Sequence, residues 1–170
     1  MINAATLFLL FLIYAGLGWI VEEVEVFLRY HRWENRGFLY GPVLPIYGCG
    51  AMLAALLLQK YYNDPVVVFV LSVVLFGVLE YVTSFVMEKM FHARWWSYDD
   101  RKFNLNGRVC LETLIPFGLL GMCVVYILNP FWMGFLRGLP EVAILVAAAV
   151  LLPIFVIDNV KSFAKARENA

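Results

Sequence analysis

Apolar residues run together along this chain in blocks of roughly twenty, set apart by short polar clusters. A helix needs about 20 residues, at about 1.5 Å each, to cross the roughly 30 Å hydrocarbon core of a bilayer. Five blocks reach or approach that length: residues 2–21, 38–58, 65–87, 109–128 and 141–157, the last near the lower limit. None alternates polar and apolar positions as a barrel strand does. Backbone groups in hydrocarbon must pair within their own segment, so the blocks predict helices. The expectation is an all-α, polytopic membrane helical bundle of about five transmembrane helices, a single integral domain over residues 1–170. The first block lacks a basic leader and an A-x-A site and reads as a retained span.

Polar residues inside these blocks are where chemistry is expected. Within "VVLFGVLEYVTSF", residues 73–85, stands Glu80. A charged acid near mid-bilayer costs on the order of 3 kcal/mol, so it carries a proton or faces the bundle interior. Thr83, Ser84 and Met87 follow on the same helix face and Glu88 lies beyond them, a polar stripe running to the membrane surface. The fourth block adds Glu112, with Arg108 four residues earlier, a spacing at which two side chains pair along a helix. Pro116 has no N–H for the Glu112 carbonyl. Glu22, Glu23 and Glu25 end the first block at headgroup level. The alternative is that Glu80 bonds a tyrosine or an arginine and locks the bundle without any ligand.

The second block is interrupted. Gly37, Gly41, Pro42, Pro45, Gly48 and Gly50 crowd its start, leaving continuous helix only from about residue 46 to 60, about 22 Å long. Its first part is expected to be kinked, unwound or re-entrant. Irregular backbone survives at depth where protein buries it or where it lines a wet cavity, and interrupted spans mark transporter binding sites. A plain kink, with glycines for close packing, is the other reading. The segment 88–108, "EKMFHARWWSYDDRKFNLNGR", is too aromatic for a disordered loop. It is expected to lie on the inner interface, rings in the headgroups and basic residues toward lipid phosphates.

Composition agrees with a membrane protein. The 170 residues are 63% hydrophobic and 15% charged, against about 45–50% and about 25% in soluble domains. Zero net charge gives no reason to expect nucleic acid as a partner. The 13 basic residues divide 11 to 2 between the two sides, with only Lys60 and Arg137 on the sparse side. Positive loops stay inside, which sets the N-terminus out and the C-terminus in. Tyr61, Tyr62, Phe131 and Trp132 then mark the outer interface, and Trp33, Trp95, Trp96 and Tyr98 the inner one. Cys49, Cys110 and Cys123 form no C-x-x-C motif and read as small packing residues. No phosphate loop, H-E-x-x-H helix or G-x-S-x-G elbow occurs, so no metal and no cofactor is expected. His31 and His92 read as solvent contacts in separate loops. A short parallel duplication is visible: "GWIVEEV" against "GVLEYV", and "NRG" against "NGR", each of the latter followed by a Gly- and Pro-bearing block.

Two stretches, "NRGFLYGPVLPIYGCGA" and "LEYVTSFVMEKMFHARWWSYDDRKFNLNGRVCLE", resemble the ABC-transporter type IV, or CmpB-like, membrane protein family. The resemblance runs from about residue 14 to 117. It implies a small multi-pass protein of the bacterial inner membrane, permease-like, and carries over no site residue. A permease implies a separate ATPase or another membrane subunit as partner, and so few spans imply a homo-oligomer or added subunits. Membrane lipids are the remaining expected partner. The expected polar pocket lies in the cytosolic half, lined by Glu80, Glu112, Arg108, Ser84, Glu88, Glu22 and Tyr47 and roofed by Trp96, Tyr98 and Asn104. It would bind a small solute or ion. The alternatives are an enzyme acting on a lipid headgroup at the inner leaflet and a non-catalytic regulatory or structural subunit.

Overall fold

The structure is a computed structural model that describes residues 3–33 and 37–168. The start of the first block at Ile2, the contribution of Arg36 to the charge count and the "NRG" stretch fall outside the described residues. In chain order the elements are α1 (Ala4–Tyr30), α2 (Pro45–Leu57), a 3-10 turn (Gln59–Tyr61), α3 (Pro65–Phe91), strands β1 (Asn104–Leu105) and β2 (Val109–Cys110), α4 (Leu111–Cys123), a π turn (Val124–Leu128), α5 (Asn129–Gly138) and α6 (Glu141–Glu168). Among the described residues four helices are long and apolar enough to cross a membrane: Ala4–Tyr30, Pro65–Phe91, Leu111–Gly138 and Glu141–Glu168. At 13 residues, about 20 Å, α2 is shorter than a hydrocarbon core.

Two helices run beyond the apolar blocks of the sequence. The fourth does not stop at residue 128. Pro130 cannot donate to the carbonyl four residues earlier, and the chain widens into the π turn, where the Asn129 amide donates to the Val124 carbonyl and the helix continues to Gly138. The helix of the last block does not stop at residue 157 either; it runs through Pro153 and Asp158 to Glu168.

The ends of α1 and α3 follow one chemistry. The Asn3 side chain accepts from the Thr6 amide at 2.9 Å, and that of Asp64 accepts from the Val67 amide at 3.1 Å, with Pro65 at the first helical position. Each helix has 27 residues and ends on a histidine in the left-handed region, His31 (φ 53°) and His92 (φ 52°). The two histidines are exposed and close their helices through the backbone amide. The matching lengths and caps of α1 and α3 lie beside the short duplication seen in the sequence.

The chain divides into two compact units, residues 1–49 with 132–169 and residues 50–131. In the first unit α1 packs against α6, with Phe155 edge-on to Phe8 and Phe11 at 6.1 and 5.6 Å between ring centroids. Gly18 leaves room for the Tyr47 ring, and Gly48 for that of Phe11.

In the second unit α3 packs against α4. Val68, Ser72, Phe76, Glu80 and Ser84 recur at every fourth residue of α3 and are all buried. Val66, Val70, Val74, Val78, Val82 and Val86 repeat at the same interval two residues out of step and are all exposed. One sequence run therefore holds a packing ridge and an exposed valine stripe. Glu80 lies on the ridge, 7% exposed.

Close approach to α4 depends on its small residues. A side chain at Gly121 would overlap Ser72, one at Gly118 would meet the Phe69 ring, and one at Gly77 of α3 would meet Leu114. We expect Gly121→Val to overpack this contact by about 1–3 kcal/mol and lower the unfolding midpoint in detergent. Gly134→Ala, with nothing within 4 Å of the added carbon, should leave the midpoint unchanged or raise it.

Candidate functional site

Beyond α3 the chain folds back into a hairpin. Asn106 (φ 55°) and Gly107 (φ 67°) both take the left-handed conformation of a tight turn that the Arg108 amide closes by donating to the Leu105 carbonyl at 3.0 Å, with Arg108 as the third residue between the strands; Asn-Gly is the preferred pair for such a turn. The turn pairs Leu105 with Val109 and Asn104 with Cys110 in an antiparallel ladder. Asn104 secures it, donating to the Arg101 carbonyl at 2.7 Å and accepting from the Gly107 amide at 2.8 Å. The Tyr98 amide donates to the Gly107 carbonyl at 2.8 Å, and the Trp96 indole donates to the Arg108 carbonyl at 3.1 Å.

The resulting hairpin, residues 92–110, is fastened to the polar residues of α3. The Tyr98 hydroxyl donates to Glu80 Oε1 at 2.9 Å. The Asn106 amide donates to the Tyr81 hydroxyl at 2.9 Å. Arg108, 8% exposed, donates to Ser84 Oγ at 3.2 Å and forms a charged bond with Glu88. Its guanidinium also lies 5.7 Å from the Tyr81 ring centroid and 5.4 Å from that of Phe85, within cation–π range. Arg94 adds a second bond to Glu88 at 3.1 Å. Glu80, Ser84 and Glu88, one turn apart, are each bonded to the hairpin.

Of the expected pocket residues, Glu80, Ser84, Glu88, Trp96, Tyr98, Asn104 and Arg108 fall in this assembly. Tyr98 bonding Glu80 is the locking arrangement that the sequence left open as an alternative. Arg108 and Glu112 do not pair along a helix, because α4 starts only at Leu111 with Cys110 as its N-cap, which leaves Arg108 in the hairpin. The Glu112 side chain is instead 56% exposed and 3.6 Å from Arg101.

Glu22 and Tyr47 belong to the first unit and bond each other, the Tyr47 hydroxyl donating to Glu22 Oε1 at 2.5 Å. Just before Tyr47, residues 37–44 have no helical structure. The amides of Tyr40 and Gly41 donate to the two oxygens of Asp158, at 3.0 and 2.9 Å. The Leu44 amide donates to the Ala15 carbonyl at 2.9 Å, close to the middle of α1. The Ser162 hydroxyl donates to Asp158 Oδ1 at 3.3 Å, and Lys165 lies 4.9 Å over the Tyr40 ring. Sequence reasoning missed Asp158 because it sits one residue past the apolar block. The signal was present: four residues beyond it, a polar serine and then more helix-forming residues continue the span.

Among the described residues no group of three or more His, Cys, Asp or Glu side chains is placed to hold a metal ion. The family described as "Putative ABC-transporter type IV" matches residues 9–163. No curated protein and no solved structure is similar to the chain.

Both constellations have measurable consequences. In Arg108→Met the hairpin should open more often, and trypsin should cut at Lys102 about tenfold faster, the effect of losing a charge-assisted bond in a local opening equilibrium. Equal cutting rates would mean that Arg108 does not hold the hairpin down. Asp158→Ala leaves two amides without their acceptor and should destabilise the fold by on the order of 1–3 kcal/mol for each one that stays dry. Asp158→Asn keeps one carbonyl oxygen and should recover part of that loss, read as the unfolding midpoint in detergent.

Proposed function

Because the chain belongs to the ABC-transporter type IV family, we propose that it is a permease-like subunit of a transporter in a bacterial inner membrane, with its N-terminus outside and its C-terminus inside. A separate ATPase would supply energy, since the sequence carries no phosphate-binding loop. A second copy or another membrane subunit would complete the path around four full spans. The solute would pass the inward end of α3, in a pocket made by Glu80, Ser84, Glu88 and Arg108.

The observation that carries this reading is how the α3 stripe is satisfied. Glu80, Ser84 and Glu88 are bonded to one hairpin, through Tyr98 OH and the guanidinium groups of Arg108 and Arg94. Such a hairpin is a plug, and a solute with donors of its own can take its place once the plug lifts. The interrupted second span supports the same reading, since non-helical backbone inside a span is a feature of transporter binding sites.

The test is complementation of a deletion strain, followed by solute and lipid profiling. Wild-type protein should restore the solute profile, while Glu80→Gln, expressed and folded to the same level, should not. Full restoration by Glu80→Gln would overturn the pocket. A deletion that changes lipid headgroup composition and leaves solutes alone would favour headgroup chemistry over transport.

A further inference from the structure

At the end of the first unit that carries residue 3, the ends of three helices surround a cavity of about 440 Å³. That volume lies in the range of small-molecule sites, roughly 300–1,000 Å³. Asn3 and Thr6 come from the start of α1, Leu136 and Arg137 from the last turn of α5, and Glu141 and Ile144 from the first turn of α6. Leu136 and Ile144 are 3% and 7% exposed and form an apolar wall.

The polar groups around that wall carry opposite charges that do not cancel. Arg137 and Glu141 are four residues apart, a spacing that pairs side chains on one continuous helix. Leu139-Pro140 breaks the helix between them, and among the described residues no ion pair joins the two. Asn3 Oδ1 is occupied, accepting from the Thr6 amide at 2.9 Å and the Thr6 hydroxyl at 2.8 Å. Its amide nitrogen remains as a donor beside Arg137. The cavity thus offers a guanidinium with an amide donor, a separate carboxylate, and an aliphatic surface. A simple anion would meet Glu141 there, and a simple cation would meet Arg137.

We propose that this cavity binds a zwitterion. Its oxyanion sits on Arg137 and Asn3, its ammonium on Glu141, and its carbon chain on Leu136 and Ile144. A free aliphatic amino acid and the headgroup of an aminophospholipid share this chemistry. The residues differ from those of the α3 stripe, so the site can be tested apart from transport.

The test is calorimetric titration of the purified chain in detergent with L-leucine and, separately, with dihexanoyl phosphatidylethanolamine below its micelle concentration. Isovalerate and isoamylamine serve as half-zwitterions. Saturable binding of either probe is expected, with leucine pointing to a free solute and the lipid to a headgroup. Each half-zwitterion should bind about tenfold more weakly, as should the matching probe with Arg137→Met or Glu141→Gln, the effect of one charge-assisted bond. Both side chains belong to exposed residues, so both variants should fold; an unchanged unfolding midpoint checks this. No saturable binding of either probe, equal binding by both variants, or isovalerate binding as tightly as leucine would each overturn the proposal.

Discussion

A backbone amide inside a bilayer has no water to turn to, and this requirement shapes the molecule more than any side-chain preference. Regular helices meet it for most of the chain. At residues 37–44 it cannot be met that way, because Pro42 and Pro45 remove donors and the chain bends away from helical geometry. The missing acceptors come from elsewhere in the first unit: the carboxylate of Asp158 for two consecutive amides and the carbonyl of Ala15 for a third. With those partners in place, the short helix α2 can begin at Pro45 and bring Tyr47 against Gly18 and within reach of Glu22.

The second unit solves a side-chain version of the same problem. A ridge on α3 carries Ser72, Glu80 and Ser84 among apolar residues. Ser72 satisfies itself by donating to the Val68 carbonyl at 2.7 Å, which also keeps it small enough to sit under Gly121. A carboxylate cannot do this, and the 92–110 hairpin supplies the tyrosine hydroxyl that Glu80 accepts. The hairpin's own turn is fixed by Asn106-Gly107, where a side chain on Gly107 would strike Asp99. Local turn chemistry thus decides whether an acid deep in a span has a partner.

Much of this was legible in the sequence, and the failures have physical causes. Long apolar blocks reveal spans because hydrophobic length is a strong signal, and Gly and Pro density revealed the interruption before α2. Helices outrun the apolar blocks where a polar residue is carried inside the helix. Asp158 is polar yet internal, bonded to backbone from another part of the unit, and Asn129-Pro130 is taken up by a wider turn that costs only one register shift. The placement of Arg108 on a helix failed because i, i+4 spacing was read without its cap. Cys110 caps α4, which starts at Leu111, and the Asn-Gly pair immediately before Arg108 is a hairpin signal. Glu80 was placed correctly on an inward face by energy cost alone, but its partner could not be, since hydrogen bonds between residues 18 apart depend on how the intervening chain turns.

The tie between Gly41 and Asp158 spans 117 residues of sequence, and that separation dictates an order of assembly. At synthesis rates of about 5–20 residues per second, the interrupted segment waits on the order of ten seconds before its carboxylate acceptor has been made. Until then its amides have to be hydrated or held by the insertion machinery. Helix α6 therefore completes the segment that precedes α2, and truncating the chain before residue 158 would leave those two amides without their acceptor.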